Sequence, residues 1–138
     1  MAAVMEKLLL LAVLIGVSAA SGSLLGGIEE APVDDQVIQD AAQFALSEYN
    51  KASNDLYVSK ISRIVSAKIQ LVSGILYFLD VELGRTQCRR AVVDSLELCS
   101  FHTASGLARK ERCRFTIRTI PWLQVTQLLK SQCQEVTT

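Results

Sequence analysis

Between Asp34 and Lys51, apolar side chains fall at Val37, Ile38, Ala41, Ala42, Phe44, Ala45 and Tyr49, in steps of three and four that lay one stripe along a helix. Pro32 stands just ahead, and Asp34 or Asp35 offers a side-chain acceptor to the free N–H groups of the first turn. Ser53-Asn54-Asp55 then reads as a polar turn. From Val65 the period drops to two: Val65, Ala67, Ile69 and Leu71 alternate with Ser66, Lys68 and Gln70, which predicts a strand with one buried face. Ser73-Gly74 marks a hairpin turn into a second strand carrying Ile75, Tyr77, Leu79, Val81 and Leu83. In a third, Cys113, Phe115, Ile117 and Thr119 alternate with Arg114, Thr116 and Arg118 until Pro121, which has no N–H to give to a ladder. Leu123 to Cys133 reads as a return strand with a less regular pattern. One helix followed by antiparallel strands predicts an α+β domain, the helix covering one face of the sheet.

Composition changes this picture mainly at the start of the chain. Half of the 138 residues are apolar, but 16 of those 69 lie in the first 20, leaving 53 of the other 118, an ordinary globular share. Lys7 precedes the run Leu8 to Ile15, and the small residues Ser18-Ala19-Ala20-Ser21-Gly22 follow it, the pattern of a secretory signal peptide. Residues 1–20 are therefore read as a leader cleaved after Ala20 or Gly22, residues 21–138 as one mature domain, and the protein as secreted and extracellular. The alternative is an uncleaved anchor, for which the apolar run is short. Fourteen basic and fourteen acidic residues give no net charge and no long run of one sign, so neither a nucleic acid nor a membrane partner is expected.

An oxidising compartment makes Cys88, Cys99, Cys113 and Cys133 disulfides before it makes them metal ligands. Their spacings of 11, 14 and 20 do not form zinc knuckles, and His102 is the only histidine, so no metal and no cofactor is expected. Four cysteines allow three pairings. A hairpin centred on Trp122 or Leu123 sets Cys113 opposite Cys133, which leaves Cys88 for Cys99. Each bridge contributes about 3 kcal/mol by the chain-entropy estimate. No catalytic constellation stands out: the cysteines are taken, and His102 reads as a surface loop residue with no nucleophile motif beside it. Asp80 with Glu82, and Arg109 to Arg112, read as solvated faces.

Three places look wasteful for folding alone. Leu24-Leu25-Gly26-Gly27 sets an apolar pair on a glycine hinge, Gln70-Leu71-Val72-Ser73-Gly74 places apolar side chains at a hairpin tip, and Pro121-Trp122 puts the only tryptophan at another turn. Two hairpin tips of one sheet can share an edge, and a hinged terminus can join them there. Three apolar projections on one edge would form a binding wedge with an aromatic anchor.

At these residues the chain resembles the type 2 cystatins, secreted inhibitors of papain-like cysteine proteases, of the egg-white cystatin and cystatin C kind. The family's Gln-x-Val-x-Gly loop is Gln70-Leu71-Val72-Ser73-Gly74 here, its Pro-Trp loop is Pro121-Trp122, and its N-terminal glycine is Gly26. The cysteines match in number and spacing, and Ser47-Glu48-Tyr49-Asn50-Lys51 resembles the family's helix end. The resemblance implies an antiparallel sheet wrapped around one long helix, with two sequential disulfides. It also implies reversible, tight blocking of a protease cleft, that of a cathepsin, without any reaction. Leu24 and Leu25 would occupy non-primed subsites, Gly26 turns the chain away from the catalytic cysteine, Val72 and Gly74 allow close approach, and Trp122 packs on the primed side. Some type 2 members inhibit the asparagine-specific protease legumain through an Asn in the loop after the helix, which implies a second site at Asn54. The expected state is a monomer, with domain swapping through the Gln70 to Gly74 hairpin as the route to a dimer. The rival reading is a non-inhibitory secreted binding module of the same fold.

Overall fold

The computed structural model describes residues 26–90 and 95–136. The expected leader, with Leu24 and Leu25, lies outside the described residues. Among those described, no helix is long and apolar enough to cross a membrane.

A short strand β1 (Ile28–Glu30) leads into helix α1 (Gln36–Ala52), and four strands follow: β2 (Tyr57–Val72), β3 (Gly74–Arg89), β4 (Lys110–Ile120) and β5 (Val125–Glu135). They form one antiparallel sheet in the order β1-β2-β3-β4-β5, so each strand neighbours the next along the chain. The helix starts as its sequence predicts. Asp35 is the N-cap, and its Oδ1 accepts from the Val37 N–H at 3.0 Å, filling one of the orphan donors of the first turn.

Ile38, Ala41, Ala42, Ala45 and Leu46 are the buried face of α1. The three alanines keep that face low, so the helix lies close against the inner face of the sheet, where Tyr77, Leu79, Val81, Leu83, Phe115 and Ile117 complete the core. β1 had no counterpart in the sequence pattern, since its three residues are all exposed.

β2 begins at Tyr57, eight residues before its alternation becomes visible, and the reason is a pair of bulges. Ile61 faces Leu83, Arg63 faces Glu82, Ile64 faces Val81 and Ser66 faces Asp80, so Ser62 and Val65 are each an extra residue with no partner of their own. The inward residues Ile61, Ile64 and Ala67 are consequently three apart, a helical spacing on a strand. Val65 is thus a bulge residue and not the first position of the buried row. Bulges bend a strand and sharpen its twist, which curves the sheet around α1. β5 carries a similar irregularity: Thr116 faces Lys130 but Ile117 faces Leu128, leaving Leu129 as the extra residue that blurs the return strand's period.

Both disulfides form as the hairpin arithmetic requires, Cys88 with Cys99 and Cys113 with Cys133, the second pair lying opposite each other in the ladder. The segment after the first bridge is tied down by side chains. Lys60 Nζ donates to the Cys99 carbonyl at 2.7 Å and sits 4.7 Å from the Phe101 ring centroid, which in turn packs on Gly84. His102 is a half-buried residue and not a surface one: its ring meets Tyr57 edge-on at 4.4 Å between centroids and its N–H donates to the Arg85 carbonyl.

The charges expected to be merely solvated are in fact paired across strands. Arg112 forks onto Asp80, with Nη2 2.9 Å from Oδ2, while Glu82 takes Arg63 at 3.1 Å and Lys110 at 3.6 Å. The Arg112 fork holds the Asp80 carboxyl below the ordinary carboxylate range, against a smaller opposing effect of burial. At Asp55 burial works upward, but the Tyr57 N–H and the Arg85 guanidinium outweigh it and the carboxyl is again lowered. Tyr49 moves the other way: burial, together with its 2.8 Å hydrogen bond to Glu111, pushes its hydroxyl up to about 12.

A carboxyl whose folded pKa is depressed contributes stability that is complete above the unfolded value near ~4 and is lost as pH falls through the folded one. Urea unfolding midpoints should therefore hold level from neutral pH to about 5 and decline below about 4. Asp80→Asn and Asp55→Asn should each lower the neutral plateau and flatten the acid decline. An acid limb identical to that of the unsubstituted chain in both variants would contradict these assignments.

Candidate functional site

One edge of the sheet gathers the two hairpin tips and, beside them, the Gly26 hinge of the N-terminal segment. Gly26 adopts φ +83°, the left-handed region that favours glycine, and turns the chain toward the end of β2. There its N–H donates to the Leu71 carbonyl at 3.3 Å, and its own carbonyl accepts from the Gln70 amide at 2.6 Å. Gly26 is thereby fastened to the end of β2 by two hydrogen bonds, both to residues just before the hairpin tip.

The tip is as tight as a hairpin allows. Val72 faces Gly74 in the ladder, so Ser73 alone makes the turn. Gly74 sits at φ +118°, and a Cβ there would lie 2.8 Å from the Thr119 carbonyl oxygen and 3.3 Å from Ile120 Cγ1. Its hydrogen is what lets the end of β4 press against the start of β3. That contact carries the third projection to the same edge, because Pro121 follows Ile120 directly. Pro121 opens a single 3₁₀ turn, Pro121–Leu123, with its fixed φ suited to the first helical position. Gln124, at φ +53°, then reverses the chain into β5.

The side chains displayed are large and apolar: Trp122 is 69% exposed, Leu123 61%, Leu71 51% and Val72 42%. Burying an exposed tryptophan and three aliphatic side chains against a partner is the kind of contact that concentrates binding energy. The two tips themselves carry no charge, since residues 69–79 and 119–129 contain no Asp, Glu, Lys, Arg or His; Glu29, opposite Ile69, and Arg118, before Thr119, are the charges that flank them. The edge is therefore suited to an apolar cleft and offers no acid, base or nucleophile of its own.

Gly26, Gln70, Leu71, Val72, Ser73, Gly74, Pro121 and Trp122 are thus brought together, while Leu24 and Leu25 lie outside the described residues. Leu123 was missed as a site residue because the strand pattern absorbed it. The available signal was a proline at the start of a short turn, which places the next two side chains outward before β5 begins.

Asn54 stands at the opposite end of β2 from this edge, in the loop joining α1 to β2. Its neighbours do the loop's bonding. The Ser53 N–H closes the helix on the Tyr49 carbonyl, Ser53 Oγ accepts from the Asp55 N–H, and Asp55 holds both the Tyr57 N–H and Arg85, the latter at 2.6 Å. Asn50 adds two hydrogen bonds to the backbone of Ser59. Asn54 is exposed between these anchors and makes no side-chain hydrogen bond among the described residues. The described cluster with metal-ligand spacing is Glu111, Cys113 and Cys133, whose two sulfurs are consumed in the disulfide.

Placing a Cβ at position 74 should disturb the whole edge, whereas the tryptophan is dispensable for folding. Gly74→Ala is expected to lower stability by about 1–3 kcal/mol, and Trp122→Ala to change it by less than about 0.5 kcal/mol. Chemical denaturation checks both, and the reverse order would place Trp122 in the core.

Comparison with known proteins gives a consistent answer. A family profile described as Cystatin domain matches residues 26–122. Cystatin of Coturnix japonica is 50% identical over 111 residues, covering 80% of this chain and 95% of that protein. Cystatin-C of Homo sapiens is 44% identical over 135 residues, covering 93% and 92% respectively. Among solved structures, dimeric human cystatin F superposes with a TM-score of 0.75 at 30% identity, covering 82% of this chain and 90% of that one.

Proposed function

Because the chain belongs to the cystatin family, whose members are protease inhibitors and not enzymes, we propose that it is a secreted, reversible, tight-binding inhibitor of papain-like cysteine proteases of the cathepsin type. The observation that carries this reading is the convergence of two apolar hairpin tips on one edge, with Gly26 bonded there to Leu71 and Gln70 and with Gly74 seated against Thr119. Such a wedge fills an active-site cleft and excludes substrate without any bond being made or broken. Leu24 and Leu25 enter the non-primed subsites, Leu25 nearest the hinge, and Gly26 directs the chain away from the catalytic cysteine. Leu71 and Val72 approach from the first hairpin. Trp122, with Leu123 beside it, packs on the primed side.

Affinity comes from having little left to order. The hairpin tip and the Pro121–Leu123 turn are fixed by the sheet, so little freedom is lost there on binding. Secretion follows the leader read at residues 1–20, and two disulfides with no free cysteine among the described residues agree with an oxidising compartment. The working form is taken to be the monomer, in which the Gln70 to Gly74 hairpin stays closed.

Titration of the protein against papain should show stoichiometric inhibition. Trp122→Ala, and truncation before Gly26, should each raise the dissociation constant by about tenfold or more, mainly through faster dissociation, with circular dichroism unchanged. No inhibition at about micromolar concentration would favour the non-inhibitory module instead.

A second, independent site at Asn54 would present its side chain to legumain as a substrate-like residue. It is supported by the exposure of Asn54 between bonded neighbours and by its distance from the wedge along β2. Asn54→Lys should abolish legumain inhibition and leave papain inhibition intact. Loss of both, or of neither, would defeat the two-site reading.

A further inference from the structure

The formal net charge of zero conceals a segregation of charge between the two sides of the sheet. In β3 and β4 the even-numbered residues face away from the helix, and the ladder sets Asp80 beside Arg114, Phe78 beside Thr116 and Leu76 beside Arg118. The same outer rows extend to Lys68 on β2 and Lys130 on β5, so that Lys68, Phe78, Thr116 and Lys130 form one line across four strands. At a strand spacing of about 4.8 Å, the two lysine backbones stand about 14 Å apart, with Arg114 two residues along β4. On this face Asp80 is taken up by Arg112, and Glu82 by Arg63 and Lys110. Lys68, Arg114, Arg118 and Lys130 have no ion-pair partner among the described residues, and Glu30 is the one further carboxylate in these rows. Most of the compensating acid lies elsewhere, as with Asp34, Asp35, Asp40 and Glu48 at and along the helix.

Three of the four free cations share a depression. Lys68, Arg114 and Lys130 surround a shallow hollow of about 450 Å³ lined also by Phe78, Thr116 and Gln132, and by Asp80, whose carboxylate is held by the Arg112 fork. We propose that the outer face of the sheet binds a linear sulfated polysaccharide, one sulfate group seating between Lys68, Arg114 and Lys130.

The chemistry of the face selects this class of polyanion. A sulfate carries a full charge at every pH the protein meets, and it takes charge-assisted hydrogen bonds from an arginine fork and two ammonium groups, with a hydroxyl and an amide to complete its coordination. The Phe78 ring offers an apolar patch for the C–H face of a sugar. Single-stranded nucleic acid calls for exposed aromatic platforms, and duplex calls for a protruding helix or ribbon; this face has one half-buried phenylalanine on an open sheet. An anionic bilayer calls for several large apolar side chains standing out among the cations; β3 and β4 expose none, and beside the cations of the outer strands Leu129, next to Lys130, stands alone. Arg114 and Arg118 run along β4 beside the hollow, a track for the chain beyond the seated sulfate.

Chromatography of the intact secreted chain on immobilised heparin, eluted with NaCl, tests this. The protein should be retained beyond about 0.15 M salt. Combined Arg114→Gln and Lys130→Gln should weaken heparin binding about tenfold or more. A control removing two cations elsewhere, Lys51→Gln with Arg89→Gln, should elute with the unsubstituted protein, and both double variants should keep their circular dichroism and their papain inhibition. Flow-through of the unsubstituted protein at about 0.05 M salt would overturn the proposal. So would equal loss of retention in the two double variants, which would make net charge the cause. Equally tight, equally Arg114- and Lys130-dependent binding to single-stranded DNA or to phosphatidylserine vesicles would overturn it too, since the face would then not select a polysaccharide.

Discussion

Strand β3 hydrogen-bonds on both sides, to β2 and to β4, in a register that turns Tyr77, Leu79, Val81 and Leu83 inward with Phe115 and Ile117. The same register turns Asp80 and Glu82 outward beside Arg114 and Arg112. A slip of one residue would exchange the two faces, burying charge and exposing the core, so no neighbouring register competes. The Cys113–Cys133 bridge pins the next pairing, β4 with β5, at a directly opposed pair. Core, cationic face and binding edge are three outcomes of this one arrangement of strands.

The binding edge depends on it most sharply. Because Val72 meets Gly74 with a single residue between them, the tip cannot move along the ladder without breaking it. Because Gly74 has no side chain, the end of β4 closes over it and delivers Pro121 and Trp122 to the same side. The N-terminal segment then needs two hydrogen bonds at Gly26 to complete the arrangement. The apolar side chains left outside the core are thus held by backbone contacts, which is why they can be displayed without collapsing inward.

Much of this was legible in the chain. Most of the helix stripe, in which Val37 is exposed and Leu46 takes a buried place the pattern did not give it, the strict alternation through β3 and β4, both disulfides and most of the edge follow from periodicity, turn residues and cysteine arithmetic. The failures within β2 and β5 share a physical cause, which is that a bulge changes the period of a strand. Ile61, Ile64 and Ala67 look like one face of a helix because Ser62 and Val65 were inserted between ladder partners, and Leu129 disguises β5 in the same way. His102 was misjudged because its burial comes from Tyr57, 45 positions earlier and close only in the fold. The cationic face was invisible for a related reason. Its charges alternate with core residues along each strand and accumulate only when four strands lie side by side, so no run of one sign marks them in the sequence.

The bulges of β2 also govern how the length of this chain can vary. At Ser62 and Val65 the ladder already steps past one unpaired residue and resumes with every later side chain on its proper face. Loss of either residue would straighten the strand and leave the alternation on both sides in phase. Between Ala67 and Val72 there is no such slack, and a single insertion or deletion would carry each following position to the wrong side of the sheet. Lineages of this fold should therefore record their changes of length in the first half of β2, and keep the stretch leading to the hairpin tip constant in residue count even where its composition drifts.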